Sequence, residues 1–210
     1  HLTLGLSVSL IGLLVFASIA ENVFYRTSLV QLDLWLFEQL QMKPSGYMIA
    51  QMFTALGSRL PLTALTLTVG IILTMRRQWL LLGGWLITVI GGELFNLLLK
   101  ASFQRPRPEH SEILSSESWS FPSGHAMLSL VVYGMLVYLL TVLVPNIGRR
   151  RLVILAGGAA ALIVAIGWSR IYLGVHHLSD VVAGYAAGAL WLSMCSSVVE
   201  VARRRPSVSR

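Results

Sequence analysis

Charged residues are scarce in this chain of 210 residues, where Asp, Glu, Lys and Arg together make up only 12%. Negatively charged residues are rarer than positively charged ones, with 9 aspartates and glutamates against 16 lysines and arginines. A soluble domain of this length would be far less apolar and would carry more charge. The composition therefore excludes an ordinary soluble domain. The few ionisable groups are expected mainly where they have a function.

Cysteine is also nearly absent, because Cys195 is the only one in the sequence. A single thiol excludes an intrachain disulfide. Its place inside an apolar run is typical of a small core residue. The sequence contains no internal repeat and no low-complexity segment. We therefore expect one membrane-embedded domain over residues 1–210.

Hydrophobic residues are what the chain has in excess, at 55% of the sequence and a mean hydropathy of +0.72. Several apolar runs approach or exceed the ~18 residues needed to cross a bilayer. We predict an all-α integral membrane bundle of six transmembrane helices, over residues 2–20, 49–75, 79–100, 123–144, 152–168 and 178–201. Pro61 is able to bend the second span. The chain starts at His1 rather than methionine, as a trimmed or tagged protein would, and the presence of the native N-terminus stays open.

A short amphipathic helix is predicted between the first two spans. Apolar residues recur there at helical spacing, and the polar residues fall on other faces. The apolar set is Val30, Leu34, Phe37 and Leu40, and the polar set is Asp33, Glu38 and Gln41. We expect this helix to lie on the membrane surface. The alternative is a plain connecting loop.

Arginine clusters indicate how the chain crosses the membrane. They occupy residues 76–77, 149–151 and 203–205 with 210, all on one side of the alternating spans. Because cytoplasmic loops are rich in basic residues, this side and both termini are predicted to be cytoplasmic, in the cell (inner) membrane of a bacterium. The net charge of +7 forms short clusters rather than a basic and aromatic groove, so nucleic acid is not an expected partner. The oligomeric state stays open.

The densest group of ionisable residues is the stretch 169–180, which reads Ser-Arg-Ile-Tyr-Leu-Gly-Val-His-His-Leu-Ser-Asp. If the following helix starts near Val175, His176 and Asp180 lie one turn apart on the same face. A carboxylate there can hold one imidazole nitrogen and leave the other free as a nucleophile or base. Arg170 offers a fixed fork of donors suited to phosphate.

Two further clusters lie on the same predicted side of the membrane. One is Lys100 with Arg107, and the other is Pro-Ser-Gly-His at residues 122–125, directly before a span. A helix N-terminus that contains a glycine presents free N–H groups to an anion. Taken alone, the first cluster could anchor a span end and the second could start a helix. Together with Arg170 they provide the positive charge that a phosphoryl transition state needs.

The three clusters resemble the motifs of the type 2 phosphatidic acid phosphatase family of integral membrane phosphatases. That family's pattern is lysine, six residues, Arg-Pro; then Pro-Ser-Gly-His; then Ser-Arg, five residues, His, three residues, Asp. Residues 100–108, 122–125 and 169–180 match it at every position. The resemblance implies that His176 is the nucleophile, that Asp180 supports it and that His125 is the general acid. It also implies that the phosphate is held by Lys100, Arg107, Ser123, Gly124 and Arg170.

The resemblance further implies an enzyme that needs no metal and no cofactor. The sequence offers no cluster of carboxylates or thiolates suited to a metal. We expect hydrolysis of a phosphomonoester or pyrophosphate on a membrane lipid, because the site lies at span ends, where a head group sits. Phosphatidate, phosphatidylglycerol phosphate and undecaprenyl pyrophosphate are equally compatible. A lipid phosphotransferase using the same histidine, or an anion transporter, is the alternative.

Glu93 and Asn96 lie outside the motifs but share one face of the third span with Lys100, at i, i+3 and i+7. At 1.5 Å per residue, Glu93 lies ~10 Å deeper than Lys100. We expect Asn96 to link Glu93 to Lys100 beneath the pocket and so fix the direction of the lysine. The alternative is a protonated Glu93 that bridges two helices.

Three neighbours of the motifs are expected to lie outside the site. On a helix, His177 would point away from His176. Arg105 and His110 are expected to be solvated in the loop that precedes the fourth span, and the alternative is contact with a lipid head group.

Overall fold

A computed structural model of the chain describes residues 2–40, 46–108, 119–144 and 146–204. All regular structure in these ranges is helical, which confirms the all-α class. The helices are α1 (Leu2–Phe24), α2 (Ser28–Leu40), α3 (Tyr47–Leu56), α4 (Arg59–Met75), α5 (Trp79–Phe103), α6 (Gly124–Leu143), α7 (Arg149–Tyr172) and α8 (Leu178–Arg204). Gln41, His110, Arg205 and Arg210 lie outside the described residues.

Six stretches of the described chain are long and apolar enough to cross a membrane, which agrees with the predicted spans. They are Thr3–Phe24, Tyr47–Met75, Trp79–Phe103, Gly124–Leu143, Arg149–Tyr172 and Leu178–Arg204. Large apolar side chains cover their outward faces, as Leu4 and Leu14 of α1 illustrate with exposed fractions of 66% and 60%. Such a surface is stable only in lipid. The chain is a multi-pass integral membrane protein.

The predicted second span is built from α3 and α4, which meet at Gly57 and Ser58 instead of bending at Pro61. Pro61 lies in the first turn of α4, where a backbone N–H has no helical partner to lose, so it causes no bend. A Cβ on Gly57 would lie 2.5 Å from Cγ2 of Ile166 and 3.3 Å from Cδ2 of His125. The glycine therefore lets the break between the helices approach α7 and the start of α6.

The centre of the fold is α8, which packs against α1, α5, α6 and α7. Two glycines on α8 face α6. A Cβ would lie 2.7 Å from the carbonyl oxygen of Ser123 at Gly184, and 3.0 Å from that of Met127 at Gly188. Small residues four apart let membrane helices approach closely. The close crossing sets the N-terminus of α6 beside the first turn of α8.

The predicted amphipathic helix is present as α2, but one residue of its polar set, Asp33, faces the protein. Asp33 is only 1% exposed, whereas Leu34 and Trp35 are 53% and 56% exposed. Asp33 is off the apolar face of Leu34, as predicted, but it is buried against the protein rather than lying on an open surface of the helix. α2 packs against α1, α7 and α8, and Asp33 is on the side that faces them.

Candidate active site

The short segment after α5, residues 104–108, is called the strap here, and it carries two arginines into the site. α5 ends at Gln104, which has a left-handed backbone with φ of 45°. The next residues are held by Ser120, whose N–H donates to the carbonyl of Arg105 at 2.9 Å and whose hydroxyl donates to that of Pro106 at 2.9 Å. With the backbone fixed, Arg105 reaches the start of α8 and Arg107 reaches the α7–α8 connection.

The connection between α7 and α8 carries His176. Gly174 adopts φ of +67° and its N–H donates to the carbonyl of Ile171, which ends α7 as left-handed glycines do. α8 begins at Leu178 rather than near Val175. His176 therefore precedes the helix, and the turn rather than a shared helix face brings it to Asp180.

The ring of His176 lies between a carboxylate and a guanidinium and is only 2% exposed. Its Nδ1 is 3.4 Å from Oδ2 of Asp180, and its Nε2 is 3.4 Å from Nη1 of Arg107. Both distances are longer than ordinary hydrogen bonds, as is common in sites without bound substrate. Burial lowers the pKa of His176 from 6.5 to about 3, against the opposing effect of Asp180. The imidazole is therefore neutral near pH 7 and retains a lone pair for attack.

The Asp180 side chain is fully buried, and its carboxylate contacts more residues than His176, the partner that its motif suggests. Its Oδ1 accepts from Nη1 of Arg105 at 2.6 Å, and its Oδ2 accepts the backbone N–H of His177 at 3.0 Å. Nδ1 of His177 lies 3.5 Å from the same Oδ2. Two expectations were wrong: His177 does not point away, because residues before Leu178 are not helical, and Arg105 is not solvated, because the strap turns it toward a buried carboxylate.

The candidate phosphate site is a cavity of about 580 Å³ enclosed by α3 to α7 and the two connections. Both predicted reacting histidines and most of the predicted phosphate-binding residues line it: Lys100, Arg107, Gly124, His125, Arg170 and His176. Ser123 lies behind this wall, fully buried, and its hydroxyl makes no hydrogen bond to any described residue. Burial lowers the pKa of Arg107, although a guanidinium stays charged at neutral pH.

Two of the cations are aimed by partners outside the motifs. Nη1 of Arg170 donates to the hydroxyl of Thr54 on α3 at 2.6 Å. The ammonium of Lys100 donates to the carbonyl of Trp119. Sequence reasoning missed Thr54, because an isolated threonine in an apolar span carries no signal of a role. Arg105 could have been suspected, because it stands inside the first motif.

Glu93 and Asn96 also line the cavity, but their contacts differ from the expected link to Lys100. Glu93 Oε1 lies 3.5 Å from Nη2 of Arg59 at the start of α4. Asn96 is 3% exposed and donates from Nδ2 to Sδ of Met127 at 3.5 Å. Its Oδ1 would lie 3.0 Å from a Cβ at Gly124. Asn96 therefore packs against the start of α6, and Glu93 joins α5 to α4.

Comparison with known proteins places these motifs in a family. Residues 78–204 match the PAP2 superfamily, and this range contains all three motifs. Phosphatidylglycerophosphatase B of Bacillus subtilis is 33% identical over 132 residues, which are 61% of this chain and 63% of that protein. A lipid A 1-phosphatase of Rhizobium johnstonii is 31% identical over 122 residues, 53% of this chain and 45% of that protein. The chain thus spans less than two thirds of these curated relatives.

Solved structures share the fold over more of the chain. The transmembrane PAP2 type phosphatidylglycerolphosphate phosphatase of Bacillus subtilis has a TM-score of 0.80 at 27% identity, over 96% of this chain and 98% of that one. LpxE of Aquifex aeolicus has a TM-score of 0.54 at 24% identity, over 81% and 95%, which is a likeness of fold. From the family match, the helical fold and the convergence of the motifs, we conclude that this chain belongs to the PAP2 superfamily of membrane lipid phosphatases.

Proposed function

We propose that this chain hydrolyses the phosphate ester or pyrophosphate of a membrane lipid through a phosphohistidine on His176. The observation that carries the proposal is the position of that ring. Nδ1 faces Asp180, and Nε2 faces Arg107 at the wall of a cavity that also holds Lys100 and Arg170. A neutral nucleophile beside concentrated positive charge is what attack on an anionic phosphorus requires.

The first proposed step forms a bond from Nε2 of His176 to phosphorus and breaks the bond from phosphorus to the leaving oxygen. His125, in the first turn of α6, gives its proton to that oxygen. Lys100, Arg107 and Arg170 hold the phosphoryl oxygens, together with the backbone N–H of Gly124 at the start of α6. The backbone N–H of Ser123 is bonded to the carbonyl of Asp180, so Ser123 would contribute through its hydroxyl, which bonds no described residue. Asp180 stabilises the positive charge that develops on the imidazole.

The second step uses water. A water molecule attacks phosphorus and gives a proton to His125, the bond from nitrogen to phosphorus breaks, and inorganic phosphate leaves. His176 returns to its neutral form. The three cations perform the charge neutralisation for which many phosphatases use metal ions, so we propose a reaction independent of metal and of any cofactor.

The proposed substrate is a lipid because the cavity lies at the ends of membrane-spanning helices. A phosphorylated head group can enter the cavity there while the acyl chains stay in the bilayer. Phosphatidylglycerol phosphate is the first substrate to test, because the structural relative of matching length is named for it. Phosphatidate and undecaprenyl pyrophosphate remain in the proposal, which treats residues 1–210 as one domain.

We further propose that both termini are cytoplasmic and that the site faces the outside of the cell membrane. The arginine clusters lie after α4, at the start of α7 and at the end of α8, whereas the site forms at the opposite ends of α5 to α8. Loops rich in basic residues lie preferentially on the cytoplasmic side of a membrane.

The labelling of single cysteines tests this topology. In a Cys195→Ser background, Tyr25→Cys should react with an impermeant thiol reagent on intact cells, and Gly148→Cys should not. Gly148 suits this purpose because no atom of the described residues lies within 4 Å of its Cβ position. The reverse pattern would invert the topology.

Phosphate release by purified protein from the three lipid phosphates, in the presence of a chelator, tests the function. We expect release, inhibition by vanadate, and an acid-labile phosphoenzyme that disappears in folded His176→Ala. Loss of activity in chelator that a divalent ion restores would refute the metal-free scheme. Transfer of phosphate to an acceptor lipid would identify a phosphotransferase, and anion flux without hydrolysis in liposomes would identify a transporter.

A further inference from the structure

We infer that Asp33 of α2 is a positioning residue for the nucleophile, which acts through Arg105 to hold Asp180 against His176. The inference deepens the proposed function and rests on it for the role of His176. α2 lies outside the residues that match the family, 78–204. The chain therefore completes its catalytic support with a helix from near its N-terminus.

The first step is the burial and bonding of Asp33, which is 1% exposed. Its Oδ1 accepts the backbone N–H of Ser179 at 2.9 Å, and its Oδ2 accepts Nη2 of Arg105 at 2.9 Å. The hydroxyl of Ser179 also donates to Oδ2. A buried carboxylate with these donors is held in one orientation. α2 is thereby fixed to the first turn of α8.

The second step is the guanidinium of Arg105, which joins two carboxylates. While Nη2 reaches Asp33, Nη1 donates to Oδ1 of Asp180 at 2.6 Å and to the hydroxyl of Ser179 at 2.7 Å. The guanidinium is planar, so fixing one side fixes the direction of the other. The Arg105 side chain is 11% exposed, and water screens these contacts little. Without Asp33, the Arg105 guanidinium would keep its contacts to Asp180 and Ser179 but would lose the bond that holds its Nη2.

The third step connects this arrangement to chemistry. Oδ1 of Asp180 is held by Arg105, which turns Oδ2 toward Nδ1 of His176 at 3.4 Å. A carboxylate in that position favours the tautomer with hydrogen on Nδ1 and the lone pair on Nε2. Asp33 is not among the described residues that line the catalytic cavity. Its removal should therefore lower kcat and leave substrate binding unchanged.

The decisive experiment compares Asp33→Asn with Glu38→Gln, which removes one negative charge from an exposed position of the same helix. Protein carrying nitrogen-15-labelled histidine reports the tautomer of His176 by NMR, with assignment from a His176 variant. For Asp33→Asn we expect kcat to fall about tenfold or more, KM to stay within about twofold, and the Nδ1–H tautomer to lose population. Glu38→Gln should match wild type in all three.

A second comparison tests the route through Arg105. In an Arg105→Lys background, adding Asp33→Asn should cost little further kcat, because the fork that carries the effect is already gone. If the two losses multiply, or if Asp33→Asn keeps wild-type kcat and tautomer, the inference is overturned. Should Asp33→Asn fail to fold, Ser179→Ala removes hydroxyl bonds to both partners without changing charge and should shift the same readouts less. Wild-type protein without phosphatase activity would refute the proposed function, while the tautomer measurement would still decide the inference.

Discussion

The backbone N–H of Ser123 donates a hydrogen bond to the carbonyl of Asp180 at 2.9 Å. This bond ties the N-terminus of α6 to the first turn of α8. His125 lies in the first turn of α6, and Asp180 contacts His176, so one backbone contact relates the two histidines of the proposed reaction. The positive ends of both helix dipoles also point to this region and add to the field of the cations.

The tight crossing of α6 and α8 should be sensitive to one methyl group. In Gly184→Ala, the added Cβ would lie 2.7 Å from the carbonyl oxygen of Ser123 and 3.1 Å from Cβ of Ala126. Forcing the helices apart should destabilise the fold by about 1–3 kcal/mol and lower kcat by displacing Ser123. Thermal unfolding in detergent and turnover measure the two effects.

Gly157→Ala is the matched control for this crossing, because a Cβ at that position of α7 would meet no atom of the described chain within 4 Å. We expect it to unfold and turn over like wild type. If Gly184→Ala behaved in the same way, the close approach of α6 and α8 would not support the site.

The sequence predicted the spans and the motif cluster because hydropathy and motif spacing are local properties. Asp33 and Arg105 were missed because their partners are distant: Arg105 is 72 residues from Asp33 and 75 from Asp180. Nothing in the periodicity of α2 shows that Asp33 faces the protein while Glu38 stays exposed. The break in the second span did leave a signal, since Gly57 and Ser58 are typical residues for ending one helix and starting another.

Burial of neutral His176 should make the stability of the fold depend on pH. Its folded pKa of about 3 lies below the value of 6.5 in the unfolded chain. Between these values the unfolded protein binds a proton that the folded protein does not. As the pH is lowered below 6.5, the free energy of unfolding should therefore decrease, by up to about 1.4 kcal/mol per pH unit.

The measurement compares wild type with His176→Asn, which cannot titrate at this position. From about pH 7 down to about pH 4.5, the melting temperature of wild type should fall more steeply than that of the variant. Parallel curves would show that the histidine is protonated or solvated in the folded state.

Thr54 should matter to catalysis although it belongs to no motif. Its hydroxyl accepts from Nη1 of Arg170 at 2.6 Å, and Thr54→Val removes this acceptor with little change in shape. Hydrogen bonds to charged groups contribute about 1.5–3 kcal/mol, so kcat/KM should fall roughly tenfold or more as Arg170 loses its direction. Thr68→Val is the control, because among the described residues the Thr68 hydroxyl bonds the carbonyl of Ala64 in its own helix. Equal kinetics in both variants would remove Thr54 from the site.

Glu93 offers a choice between a role in catalysis and a role in joining helices. It lies on the cavity wall, 33% exposed, and pairs at 3.5 Å with Arg59, which is 84% exposed. An ion pair this exposed contributes less than about 1 kcal/mol, so breaking it should barely change the melting temperature. A carboxylate on the same face as Lys100 can still set the electrostatic environment in which that cation binds phosphate.

We expect Glu93→Leu to lower turnover by about tenfold or more and Glu93→Gln to lower it less, because the amide keeps hydrogen bonding without the charge. Arg59→Gln separates the two roles, since it breaks the pair from the other side and leaves the Glu93 carboxylate in place. If only the Glu93 variants lose turnover, the carboxylate acts on the site. If Glu93→Leu and Arg59→Gln both melt lower while their folded fractions turn over normally, Glu93 joins α5 to α4. Full activity of Glu93→Leu at the wild-type melting temperature would show that the residue has neither role, since leucine supplies neither a charge nor a hydrogen bond.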